Sequence, residues 1–233
     1  NDLQQFYGRL KKNGRKRLTE QYGAGLSDRM VRMCHAVCRS ALERAVRDDL
    51  LRTNPAIGCK LPPKKAKEMQ VLDREELQKF LIQAQADGYY ELFLLDLCTG
   101  LRRGELIALQ WDDLNFETGV LTVNKQAYTV NGELQIIPPK TKASMRKLVL
   151  PPAVLAVLRE YKKTVDSRWM FPSPVKADRP ITPGVARRRL QTILERADCK
   201  RVRFHDLRHT FATLALENGM DVKTLSAMLG HVS

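Results

Sequence analysis

The sequence predicts a mainly α-helical protein of two domains, with a small antiparallel β-sheet set into the second, an α+β domain. Three observations carry this. Apolar residues recur at helical spacing over most of the chain. The segment IGCKLPPKKAKEM (57–69) breaks that pattern with paired prolines, small residues and four lysines, which is linker chemistry: prolines stop helices and lysines keep the chain solvated. Between about 120 and 150 the period changes to two, around Asn131-Gly132, a strong hairpin signal. A length of 233 residues suits one large or two modest domains. The expected division is a helical domain over 1–60, a basic Pro-rich linker over 61–69 and a larger domain over 70–233.

In the first domain, Val31, Cys34, Cys38, Leu42, Ala45 and Val46 form one apolar stripe between Ser27 and Asp49. Ser27 can cap this helix, and Asn54-Pro55 is expected to end it. Arg32, Arg39, Arg44 and Arg47 lie off the stripe, toward solvent. The second domain opens with Asp73, Glu75 and Glu76, acids that favour a helix start. Helices are expected at roughly 73–85, 89–98 and 103–110, punctuated by Gly88, Gly100 and Asp112-Asp113. Strands follow at 120–126, 133–138 and 146–150, where residues alternate or are β-rich. Helical patterning returns after Pro151-Pro152. Residues 207–229 read as helix, Asn218-Gly219 turn, helix, with Phe211, Leu214, Leu216, Leu225 and Leu229 as core. The last helix, carrying Val222, Leu225, Ala227, Met228 and Leu229, suits a buried support.

Forty Lys and Arg against 26 Asp and Glu leave a net charge of +14, which points to a polyanionic partner, most often nucleic acid. The excess is uneven: residues 1–67 hold sixteen basic and six acidic side chains, a net +10. On so small a domain that favours a phosphate-contacting surface, with Arg32, Arg39, Arg47, Lys64 and Lys65 as the DNA-binding candidates. No apolar run approaches the roughly 18 residues of a membrane span, and no signal-peptide pattern opens the chain, so no membrane partner is expected. Five cysteines, odd in number and without a CxxC pair, read as reduced thiols of a cytoplasmic protein. The sequence starts at Asn1 and stops at Ser233, and both ends read as cut from a longer protein.

Four stretches can carry chemistry: TGLRRGEL (99–106), PPKTKASMRK (138–147), RFHDLRHTFAT (203–213) and LGHVS (229–233). Each has an ordinary explanation. Arg102 and Arg103 can pair with Glu105 and Asp96 on a helix surface, Lys140 and Lys142 can be solvated loop charges, and His231 can favour a helix C-terminus. In HDLRH, His205, Arg208 and His209 share one helical face. The spacing is close to that of the zinc-metalloprotease HExxH, but Asp206 is shorter than Glu and Arg208 repels a cation. An anion fits better: a guanidinium holds two phosphate oxygens while an imidazole handles a proton. Cys34, His35 and Cys38 lack a second ligand pair and read as helix core. In a protein of +14, residues 207–229 also read as the helix-turn-helix of a DNA-binding regulator without catalytic activity, although the last helix offers few polar side chains for base edges.

Taken together and in order, an Arg in TGLRRGEL, a Lys in a hairpin, HxxR and LGH resemble the catalytic domain of the tyrosine recombinase (phage integrase) family. The basic helical piece resembles that family's core-binding domain, so the resemblance spans essentially the whole chain. The wording is most similar to integrases of conjugative transposons and prophages, with chromosome-dimer resolvases second. The resemblance implies that Arg102, Lys140, His205, Arg208 and His231 are catalytic, with Glu105 supporting Arg102 and Lys142 close enough to contest the place of Lys140. It implies cutting and rejoining of DNA through a covalent 3′-phosphotyrosine, for integration and excision of a mobile element. With cations supplied by side chains and the cleaved bond stored on tyrosine, it implies no metal and no nucleotide cofactor.

The family's nucleophile is a Tyr shortly beyond the LGH histidine. The six tyrosines here (7, 22, 89, 90, 128 and 161) all precede that motif. The 233-residue chain is therefore expected to bind DNA without cleaving it, and the full protein to do both. The partners implied are double-stranded DNA at recombination sites, clamped between the two domains, further protomers in a tetrameric synapse, and an accessory excision factor.

Overall fold

In the computed structural model, which describes residues 2–64, 69–138 and 145–230, the chain divides between Glu68 and Met69 into two units. The first is helical: α1 (Asp2–Asn13), a single turn α2 (Thr19–Tyr22) and α3 (Asp28–Arg47). Ser27 does cap α3, its hydroxyl accepting from the Met30 N–H at 3.3 Å. The buried residues of α3 are Val31 and His35, with Cys34 and Cys38 only half-buried. The His35 ring meets Tyr7 edge-on at 5.4 Å, joining α3 to α1.

α3 ends earlier than the Asn54-Pro55 stop implies. Asp49 takes a left-handed conformation (φ 57°), and the Leu50 and Asp49 N–H groups reach back to the carbonyls of Ala45 and Val46 at 2.9 and 3.1 Å. This Schellman-type closure is built on an Asp where a Gly is usual. Asn54 instead returns the chain to the helix flank, donating to the Arg39 carbonyl at 3.0 Å and to Glu43 at 2.8 Å. Gln4 pairs twice with the Lys60 backbone, and Arg32 donates to the Pro62 carbonyl at 2.9 Å.

In the second unit, Asp73 and Glu76 cap α4 (Arg74–Ala86) reciprocally at 2.9 and 3.0 Å. α5 (Tyr90–Thr99) is buried on nearly every side and ends at Gly100. α6 (Arg103–Ile107) stops short of the expected 110, because Gln110 leaves the helix to bridge to Trp169 and a 3-10 turn follows at Trp111–Asp113. The expected single sheet is two separate two-stranded ladders. β1 (Val120–Val123) pairs with β4 (Arg146–Val149), and β2 (Gln126–Val130) with β3 (Glu133–Ile137), both antiparallel. The run 120–126 breaks at Asn124 and Lys125, where Lys125 turns to the buried carboxylate of Asp113 at 2.6 Å. Asn131-Gly132 forms the β2–β3 turn as expected.

α7 (Pro152–Thr164), α8 (Pro183–Arg196), α9 (Phe204–Glu217) and α10 (Val222–Leu229) complete the unit. Its core centres on α5, where Phe93 packs against Phe80 and Phe204 at 5.1 and 6.1 Å. A small satellite cluster of Phe211, Leu225 and Leu229 joins α9 to α10. Three residues read as apolar core or buried support are exposed instead: Leu216 (46%) and Val222 (72%), which flank the turn between the two helices, and Ala227, on the outer face of α10. Among the described residues no helix is long and apolar enough to cross a membrane.

Candidate active site

Three arginines from three elements meet at the C-terminal end of α10. Arg146 at the start of β4 donates to the Met228 carbonyl at 2.6 Å. Arg208 of α9 donates to the Leu229 carbonyl at 2.6 Å, and Arg102, which precedes α6, lies 3.4 Å from the Gly230 carbonyl. The last carbonyls of a helix lack intrahelical partners and carry the negative end of its dipole, so they hold guanidinium groups together that would otherwise repel. Arg208 makes a second bond, to the Gly100 carbonyl at 2.7 Å, beneath the end of α5.

Glu105 is the counter-charge. It closes a capping box at the start of α6, accepting from the Arg102 N–H at 2.9 Å and from Arg102 Nη1 at 2.8 Å. The same carboxylate takes a two-pronged contact from Arg146, at 3.1 and 2.7 Å. Burial pushes the Glu105 carboxyl up, but bonds from Arg146 and then Arg102 outweigh it and leave its pKa lowered. Burial, reinforced by neighbouring Arg102, pushes Arg208 down to about 10, which leaves it charged at neutral pH. Asp96 of α5 is fully buried, neither carboxylate oxygen has a hydrogen-bond partner, and burial pushes its pKa well above the usual carboxylate range against the pull of Arg208. The pairing of Arg102 with Glu105 is thus real, but Glu105 and Asp96 are interior groups and do not form a surface network.

His205 is exposed on α9, its ring 4.8 Å from that of His209 and nearly perpendicular to it. Partial desolvation of the ring against α9, then His209 and Arg208, push its imidazole below the usual histidine range, toward the neutral form. Asp206, which the HExxH comparison would place toward a metal-bound water, is turned away: it accepts three bonds from Arg203, at 2.7, 2.9 and 2.6 Å. Lys140, Lys142 and His231 lie outside the described residues, as does Lys65.

The structure therefore brings Arg102, Glu105 and Arg208 together, with His205 on the same helix as Arg208. Arg146 was not singled out by the sequence reading, although a signal exists: Arg146 and Leu148 alternate along β4 and the buried Leu150 follows directly, so the arginine shares the inward face. Arg103 is half-buried, and burial and then Arg187 of α8 lower its pKa. Of the helical-unit candidates, Arg39 and Arg47 are exposed on α3 and Lys64 is exposed after it, whereas Arg32 is half-buried on Pro62. Tyr89 and Tyr161 pack at the core edge, and the Tyr128 hydroxyl bonds Gln135 across the hairpin.

Comparison with known proteins gives a consistent result. The phage integrase family matches over residues 70–233. The ICEBs1 integrase of Bacillus subtilis is 28% identical, over all of this chain and 65% of its own length. The tyrosine recombinase XerA of Pyrococcus furiosus is 32% identical, over 77% of this chain and 57% of its own length. The chain thus spans 57–65% of the length of these relatives. Among solved structures, the Tn1549 transposon integrase in complex with circular intermediate DNA superposes with a TM-score of 0.82 at 23% identity, covering all of this chain and 77% of that one. A lambda integrase dimer bound to a COC′ core site gives 0.64 at 20% identity, covering 88% and 57%.

Proposed function

The chain belongs to the phage integrase family, and from that premise we propose that it is the DNA-gripping and anion-holding part of a site-specific recombinase that cuts and rejoins duplex DNA through a 3′-phosphotyrosine, for integration and excision of a mobile element. The observation that carries this reading is the convergence of Arg102 and Arg208 on the end of α10, next to His231 in the sequence. A phosphoryl transition state gathers negative charge on its non-bridging oxygens, and two fixed guanidinium forks stabilise it where it develops. The tyrosine oxygen attacks phosphorus, the bond to the 5′-oxygen breaks, and Lys140 or Lys142 gives that oxygen a proton. His205, held toward its neutral form, accepts the tyrosine proton or hydrogen-bonds the phosphate, a task the family resemblance also gives to His231. The bond energy stays in the phosphotyrosine, so rejoining reverses the steps. The family's nucleophile is a tyrosine beyond the LGH motif, and the six tyrosines of this sequence all precede that motif. Residues 1–60 and 70–233 each contact phosphates, joined by the basic linker 61–69, and several protomers assemble on DNA, with an accessory factor directing excision.

In the full-length protein, Arg102→Ala or Arg208→Lys lowers covalent adduct formation on a nicked duplex about 100-fold or more, with duplex affinity little changed. Adducts are read on denaturing gels, and EDTA leaves them undiminished. Adducts persisting in both variants would sink the site assignment. Tight duplex binding with no adduct from the unmutated full-length protein would favour the helix-turn-helix regulator.

A further inference from the structure

We propose that Arg146 is a positioning residue of the anion site, which ties the Glu105 carboxylate to the end of α10 and so aims Arg102. The inference rests on the recombinase reading above and adds to it a residue outside the recognised motifs. Arg146 and Glu105 have side chains only 7% exposed, whereas that of Arg102 is 42% exposed. The group open to a ligand is therefore Arg102, and Arg146 works behind it. The contacts close a ring. Arg146 holds Glu105 at 3.1 and 2.7 Å, and Glu105 holds Arg102 by its backbone and by Nη1 at 2.9 and 2.8 Å. Arg102 reaches the Gly230 carbonyl at 3.4 Å, and two residues back along the chain the Met228 carbonyl accepts from Arg146 at 2.6 Å.

Each member of that ring limits another. A lone Glu105 would fix only one side of the Arg102 fork and would be free to rotate with it. Seating its two oxygens on a second, buried guanidinium fixes the plane of the carboxylate, and therefore the plane from which Arg102 presents its remaining N–H groups. The bond to Met228 makes the same side chain set the height of α10, whose last carbonyls engage Arg102 and Arg208. A lysine at position 146 keeps the charge but cannot hold both carboxylate oxygens and the carbonyl in one rigid fork.

The test uses full-length protein on a nicked duplex that traps the adduct, and reads the single-turnover adduct rate, duplex affinity and thermal melting. Arg146→Met is expected to slow adduct formation about 100-fold while duplex affinity stays within about threefold, the split that a merely structural loss would not give. Arg146→Lys is expected to recover part of that, to about tenfold below the unmutated protein. Because Arg146 acts through Glu105, combining Arg146→Met with Glu105→Gln should cost little more than the worse single change. An Arg146→Met protein that forms adducts at the normal rate overturns the proposal, as does a double variant in which the two losses multiply. If Arg146→Met fails to melt cooperatively, Arg146→Lys decides, and a normal adduct rate there overturns the proposal. Absence of adducts from the unmutated protein is a different failure: it removes the recombinase reading, and this proposal with it.

Discussion

A carboxylate as enclosed as that of Glu105 loses hydration, and burial alone would hold its proton more tightly. Arg146 and Arg102 reverse the balance, so its pKa in the folded protein lies below the ordinary 4.5. A group with a lowered folded pKa contributes stability that is present above its unfolded value and lost as pH falls through the folded one. Glu105→Gln should therefore cost about 3 kcal/mol at neutral pH, since it leaves two guanidinium groups facing a neutral amide. The gap should narrow as pH drops below 4.5, measured by denaturant unfolding across the acid range. A gap that stays constant would show that the charge of Glu105 is irrelevant to the fold. At this scale the motifs exposed Arg102, Glu105 and Arg208, because these sit in short distinctive strings. Arg146 was hidden among the charges of a lysine-rich stretch, and only its place on the inward face of β4 separates it from Lys147, which is exposed. Asp96 gave no signal, since an acid among the leucines of α5 looks like any helix-surface residue until the helix proves to be enclosed.

Gly100 joins three elements. It ends α5 in a left-handed conformation (φ 58°), its carbonyl accepts from Arg208, and a β-carbon there would come within 2.9 Å of Leu229 and closer still to the Phe211 ring. Gly88 is also left-handed (φ 76°), yet has open space around it. Alanine at either position incurs the left-handed penalty of about 1–2 kcal/mol, but only Gly100→Ala must also displace α9 and α10. Gly100→Ala should accordingly lower the melting temperature by roughly twice as much as Gly88→Ala, which should itself cost about 4 °C. Equal shifts would mean that the packing around Gly100 yields freely. Helix periodicity located most helices of this unit to within a few residues, and Asn131-Gly132 located the hairpin. Periodicity could not find the end of α3, set by an Asp in a conformation typical of Gly, nor the break at Asn124, which depends on a buried acid eleven to twelve positions earlier in the chain.

Charge is a property of the whole chain, and its distribution was legible from the start: the surplus gathers in the first 67 residues, while the proposed anion site lies where the net count nearly cancels. Binding to duplex DNA should weaken with salt by about 0.9 log units per log unit for each phosphate neutralised. Replacing exposed Arg39 and Arg47 together with Gln should reduce that slope by about 1.8, read by fluorescence anisotropy at several salt concentrations. An unchanged slope would remove the outer face of α3 from the interface. The fold class was equally legible, because patterning reports which faces are buried. Which strand pairs with which was not, because both ladders look alike in one dimension. Each residue added to a helix turns everything after it by about 100° and advances it by 1.5 Å. With the carbonyls of Met228, Leu229 and Gly230 each met by a different arginine, inserting or deleting one residue in α10 would unseat all three at once. Exposed positions such as Val222, Lys223 and Ala227 are free to drift. The count of residues from Asp221 to Gly230 is not.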